Sequence, residues 1–225
     1  MNGKLGWSVC LLVLVLGYAP VMRGQLYSNL GTGTDVYNCC AGWTVSGTGS
    51  IGTSFTAANE FQPFFSGAPV EIDIAVGYVE GENLFRVSVD ADNGGQPGAV
   101  LASFVNLSSS ATFGSCCGLV SITGISGLFL NAGTNYWLVI GPMDTTGTTW
   151  ESWNFSNSAL SLDDYSTDGG NTWVQNGKQQ QGAFEILSGC CGTVPEPASL
   201  LLFGSGLAGV MAALRRKRNR ERGPR

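Results

Sequence analysis

The chain has no histidine among its 225 residues. That excludes Ser-His-Asp and Cys-His nucleophilic catalysis and removes imidazole from the commonest catalytic zinc sites. Basic residues are nearly as scarce away from the ends. Between Gln25 and Val194 only Arg86 and Lys178 stand against 14 Asp plus Glu, a net of −12. So acidic a stretch repels phosphate backbones, and no nucleic acid partner is expected. Apolar residues spaced by about 3.6 are also missing between the two ends, which excludes a helical bundle. No segment of about 20 to 50 residues recurs, which argues against a propeller or solenoid.

The ends are different. Residues 1–24 carry Lys4, an apolar run from Val9 to Leu16, and a looser stretch with Gly17, Pro20 and Gly24. That order is a secretory signal peptide, expected to form a short helix and to be removed. Six further cysteines form three adjacent pairs, Cys39–Cys40, Cys116–Cys117 and Cys190–Cys191. In an exported chain they are disulfide candidates, and consecutive strand residues point to opposite faces, so bridges between pairs are favoured over a shared metal. Six cysteines allow about 15 pairings, which sequence does not resolve.

Residues 193–225 fall into three parts: the motif Val194, Pro195, Glu196, Pro197; an uncharged run from 198 to 214; and a basic cluster opening with Arg215, Arg216, Lys217 and Arg218. The run is just long enough to cross a bilayer as a helix. The basic cluster stays cytoplasmic and directs residues 25–192 to the outside. This tail resembles the PEP-CTERM sorting signal of Gram-negative bacteria. The resemblance implies an exosortase-type processing enzyme as partner, a membrane-inserted intermediate, and an organism that makes extracellular polysaccharide.

Residues 25–192 read as one all-β ectodomain. Val70, Ile72, Ile74 and Val76 alternate with Glu71 and Asp73, as a half-buried strand requires. Phe85, Val87 and Val89 repeat the pattern. Further strands are expected near residues 43–46, 54–61, 100–105, 119–123, 136–140, 149–155, 173–175 and 183–187. About ten short strands suit an antiparallel β-sandwich or jelly roll, flanked by the signal-peptide helix and a C-terminal transmembrane helix.

Ser166, Asp168, Gly170, Thr172 and Trp173 fit the pattern Ser-x-Asp-x-Gly-x-Thr-Trp and resemble the Asp-box of sialidases and other secreted β proteins, a hairpin-building device that carries no activity by itself. Asp90, Asp92 and the Gly-rich run after them suggest calcium, but the ligand count is low, and Asn93-Gly94 and Pro97-Gly98 read better as turns. No metal and no cofactor are expected. The loop, Ala41-Gly42-Trp43 and the Asp-box together resemble the choice-of-anchor ectodomains. Glu151, Asp163, Asp164 and Glu185 are the carboxylates from which a glycosidase could draw a pair. No spacing singles one out, and acidic side chains on a solvated sheet face are the expected reading. Trp150, Trp153, Tyr165 and Trp173 cluster where a sugar platform would need rings, although most tryptophans are expected in the core.

The expected function is that of an exported envelope or matrix protein, structural or adhesive, with no catalytic residues. Extracellular polysaccharide is a candidate partner, and the alternatives are a carbohydrate-binding module and a carboxylate-dependent glycosidase. The expected destination is the inner membrane during processing, then the outer surface or extracellular matrix.

Overall fold

A computed structural model of the protein describes residues 24–116 and 118–189. The signal peptide, Cys117, Cys190, Cys191, the sorting motif, the expected transmembrane run and the basic tail lie outside the described residues. Among the described residues thirteen strands form two sheets. The smaller has the order β1 (Gly24–Ser28), β13 (Phe184–Ser188), β4 (Pro69–Ile74), β9 (Val120–Thr123). The larger runs β7 (Pro97–Leu107), β6 (Phe85–Asp92), β10 (Tyr136–Pro142), β3 (Thr56–Phe61), β11 (Trp150–Ser166), β5 (Val76–Glu80), β8 (Ala111–Thr112). Both β2 (Asn38–Ser46) and β12 (Val174–Gly182) also pair with β11. Among the described residues the sole helix is one turn, α1 (Thr48–Ile51). The all-β sandwich expected from the alternating runs is the fold observed.

The alternation explains the layers. Ile72, Ile74, Val120, Ile122, Phe184 and Ile186 of the small sheet face Val87, Val89, Leu138, Ile140 and Trp153 of the large one in a single core. Burial of such side chains is the main favourable term in folding, at about 25 cal/mol per Å² of apolar surface. A second, smaller cluster lies on the other face of the large sheet, where Ala58, Trp137 and Val139 are covered by Leu162 and Trp173.

Two strands change sheets at one point. The run Val70–Val76, read above as one strand, is split at Ala75 into β4 in the small sheet and β5 in the large. Ala183 divides β12 from β13 in the same way. The two alanines meet Asn154 of β11 in a closed set of backbone hydrogen bonds: Asn154 donates to Ala75 at 2.8 Å, Ala75 to Ala183 at 3.0 Å, and Ala183 to Asn154 at 2.7 Å. Strands that switch sheets need bends at such corners, and small side chains let three backbones converge here. Beside them Gly182 lies against the Trp153 indole so closely that a Cβ would overlap the ring.

Tyr37, Ala75 and Ala183 form a satellite core with Leu30, Val36, Cys39 and Leu119. A disulfide joins Cys39 of β2 to Cys116 before β9, with 5.5 Å between the Cα atoms. It closes a loop of 77 residues over this satellite core.

Candidate functional site

The five Asp-box residues meet in the hairpin that joins β11 to β12. Ser166 Oγ donates to Asp168 Oδ1 at 2.7 Å and accepts the Gly170 N–H at 2.8 Å. Asp168 in turn accepts the Thr172 N–H at 2.9 Å and its hydroxyl at 2.7 Å. Gly169 and Gly170 hold φ of 76° and 95°, the left-handed region that glycine enters freely. The Thr172 N–H, then the Thr172 and Ser166 hydroxyls, hold the Asp168 carboxyl down to about 2. Arg86 ties the hairpin to β6 by donating to the Gly169 carbonyl at 2.7 Å. Trp173 packs on the outer cluster around Trp137. The Ser166, Asp168 and Thr172 side chains are turned onto one another, so the chemistry of the box is that of a turn.

The Asp90–Gly98 segment is likewise a turn. Asp92 accepts the N–H groups of Gly94 and Gly95 at 3.2 and 3.0 Å and the Trp137 indole N–H at 2.9 Å. Among the described residues no group of three or more His, Cys, Asp or Glu is placed to hold a metal ion.

Three of the four carboxylates do not lie on a solvated face, and that expectation is corrected for them. Glu151 is fully buried, and Asp163 and Asp164 are each 1% exposed. Glu151 accepts a 2.8 Å hydrogen bond from Ser109, while its other oxygen has no partner. Burial raises it to about 7 against the Ser109 bond. Asp163 accepts from Asn59 at 2.8 Å and Asn176 at 3.0 Å, yet burial still lifts it to about 7. Asp164 points to the opposite face, where burial and then the negative charges of Glu60 and Asp92 lift it to about 6. Glu185 is on the small sheet, bonded to Gln25 at 3.2 Å. Glu151 and Asp163 are on one strand but in separate hydrogen-bond sets, Ser109 with the first and Asn59 and Asn176 with the second.

The tryptophans are not an open platform. Trp137 and Trp153 are fully buried. Trp43 donates to the Gln180 carbonyl at 3.0 Å, and Trp43, Trp150, Trp173 and Tyr165 are half-buried. Phenylalanines are exposed instead. Phe64 and Phe65, between β3 and β4, are 55% and 68% exposed, and Phe129, between β9 and β10, is 58% exposed. These two loops are stapled together: Gly67 and Leu130 exchange backbone hydrogen bonds at 2.9 Å, Ser66 accepts the Ala132 N–H at 2.8 Å, and Gln62 donates to the Gly133 carbonyl at 2.9 Å.

Beside the stapled loops opens a groove of about 700 Å³, within the range that accommodates small ligands. One wall is aromatic, Tyr27 stacked on Phe64 with ring centroids 5.5 Å apart. The rest is polar or aliphatic: Glu60, Gln62 and Asn135 face Leu160, Leu162 and Lys178. Asn135 donates to Glu60 at 2.7 Å. Gln181 fixes the floor by accepting from Tyr27 at 2.6 Å and donating to the Glu60 carbonyl at 2.8 Å. Burial, opposed by the Gln181 bond, pushes the Tyr27 hydroxyl up to about 12, so it stays a donor at any physiological pH. The groove therefore offers an apolar ring face, fixed amides, one carboxylate and one ammonium. Sequence reasoning missed it because its lining comes from both ends of the ectodomain. An Asn-Glu-Phe-Gln-Pro-Phe-Phe run that stops alternating at residue 62 was the one available signal.

Of the cysteine candidates, Cys39 and Cys116 are joined. Cys40 is a free, exposed thiol whose sulfur lies 3.9 Å from that of Cys39. No helix among the described residues is long and apolar enough to cross a membrane.

Comparison with known proteins places the clearest functional signal in the tail. Residues 193–217 match the family model of the PEP-CTERM protein-sorting motif, covering Val194–Pro197, the uncharged run and the first basic residues. No curated protein matches the chain.

Proposed function

We propose that this exported protein, sorted through its PEP-CTERM tail by an exosortase at the membrane, is a non-catalytic adhesive component of the outer surface or extracellular matrix. The observation that carries this reading is the end of the sandwich, where two stapled loops expose Phe64, Phe65 and Phe129 beside a preformed groove. Exposed apolar patches of this kind mark contact sites in proteins that otherwise hide such surface. The buried carboxylates Glu151 and Asp163 are held by Ser109, Asn59 and Asn176 inside the sandwich, and we assign them to the fold.

A carbohydrate ligand is the second reading, favoured by the Tyr27–Phe64 ring pair facing Gln62 and Asn135. A flat ring covers the apolar face of a sugar, and planar amides bond its hydroxyls in pairs. The test is retention of the purified protein on the host's extracellular polysaccharide and on a panel of neutral glycans. Saturable binding lost on Phe64→Ala supports the second reading. Adhesion of expressing cells that is lost on Phe65→Ala and Phe129→Ala without glycan binding supports the first alone, and loss of neither refutes both. Replacing Pro195 and Glu196 is expected to stop tail processing in the native host, and unchanged processing would refute the sorting assignment.

A further inference from the structure

We propose that, while the sorting tail holds this protein at the membrane, Phe64, Phe65 and Phe129 dock the domain on the phospholipid surface that the tail enters. The inference rests on the sorting match and on the place where the tail begins, not on the adhesive reading. It names what the exposed rings touch before the tail is cut.

The rings stand where the chain leaves the domain. Ser188, at the end of β13, pairs with Gly24 on one side and with Pro69 on the other. Gly67 lies so close to Leu26 and Ser188 that a Cβ there would meet their side chains at 3.0 and 3.7 Å. Phe64 and Phe65 precede this glycine in the same loop, and the Phe64 N–H donates to the Leu26 carbonyl at 2.8 Å. Phe129 is the neighbour of Leu130, which Gly67 staples. Leu128 and Leu130 are buried on either side of Phe129, and Pro63 is buried beside Phe64, so core contacts hold the loops while the rings stay out.

The tail supplies the occupant. Between Ser188 and the uncharged run stand nine residues, 189–197, which reach at most about 35 Å even when fully extended. An anchored chain therefore keeps the rings within that distance of lipid. Interfacial binding grows with the apolar area buried, and three rings alone give only weak, reversible binding. A short tether changes this, because it sets an effective concentration on the order of millimolar without any new contact. A second protein would have to find the rings by diffusion.

Charge permits the approach. No Asp, Glu, Lys or Arg occurs from Phe61 to Val70 or from Val120 to Tyr136, in a domain with a net of −12. Anionic headgroups repel the domain as a whole, but these two loops meet them without a charge of their own. The docking is apolar, so screening by salt does not weaken it.

The test reconstitutes the full chain in phosphatidylcholine vesicles, with the photo-crosslinker p-benzoylphenylalanine in place of Phe65, Phe129, Val105 or Val174, one at a time. Val105 and Val174 are comparably exposed, at 52% and 48%. They lie near the level of Ile140 of β10, whereas the ring-bearing loops meet that strand at Tyr136. The expected result is phospholipid adducts at positions 65 and 129, in yields at least fivefold above those at 105 and 174 and unchanged from about 50 to about 500 mM salt. Phe64→Asp with Phe129→Asp should lower the yield at position 65 at least fivefold, and unchanged circular dichroism checks the fold. Four results would overturn the proposal: no adducts at 65 and 129, equal yields at all four positions, yields that fall as salt rises, or an undiminished yield at 65 in the double variant. None of these readouts involves cell adhesion or a glycan, so the adhesive reading stands or falls apart from them.

Discussion

Glu151→Gln should make this fold more stable at alkaline pH and leave it nearly unchanged in acid. Glu151 is fully buried, has one hydrogen bond, from Ser109, and keeps one oxygen without a partner. Its carboxyl is raised from 4.5 to about 7, chiefly by burial. A raised acid is favoured protonated in the folded state, so its stabilising contribution is full below 4.5 and is lost as pH rises through 7. The difference between those values corresponds to about 3 kcal/mol, or about 2 once the fold relaxes around the ionised group. Glutamine keeps the acceptor for Ser109 and cannot ionise. Urea denaturation of the oxidised, tail-processed protein at pH 4 and pH 8.5 should give curves for the variant and the parent that coincide within about 1 kcal/mol in acid. At pH 8.5 the variant midpoint should lie about 1 M higher, given a slope near 2 kcal/mol per M. Asp163 and Asp164 titrate in both proteins and cancel from the comparison. An equal shift at the two pH values, or a destabilised variant at pH 8.5, would refute the assignment of Glu151 as a buried, protonated acid.

Gly182→Ala is expected to cost about 3 kcal/mol or more, because the new methyl overlaps the Trp153 indole in a packed corner, and the loss should appear as a lowered melting temperature with altered near-UV circular dichroism. Reducing the Cys39–Cys116 bridge, or replacing Cys39 by Ser, should cost roughly 4 kcal/mol for a loop of 77 residues, read as a lower urea midpoint. Asp168→Ala should open the β11–β12 hairpin and speed hydrogen exchange at Thr172. In the parent protein the same loosening should develop as pH falls from about 4 through about 2, since a depressed carboxyl stabilises above its ordinary value and loses that contribution as it protonates.

Strands built on an alternating or continuous apolar run were legible in the sequence. Phe85, Val87 and Val89, and the run from Tyr136 to Ile140, are recognisable by alternation or apolar density and lie where expected. The second half of β11 and most of β12 were not legible. Asp163 turns toward Asn59 and Asn176, and Asp164 toward the outer cluster, so polar residues fill both faces of a covered strand and no alternation survives. The sheet switch at Ala75 was hidden because Val70–Val76 alternates straight through it, and only its partners Asn154 and Ala183 define the corner. The Asp-box was legible because its bonds span at most four residues. The groove was not, since Tyr27 and Lys178 meet only through the fold, and tryptophans drew the search for exposed rings that phenylalanines supply. The tail could be read directly, because its order of motif, apolar run and basic cluster is a linear signal.

β13 lies between β1 and β4 and is the last described strand before the sorting tail. Its inter-strand bonds run perpendicular to the chain. Tension along the tail from Ser188 therefore loads both rows of bonds in shear, so that they resist together and do not unzip one by one. A sorted domain built this way is a mechanical clasp, because the strand that leads to the tail is gripped along both of its edges.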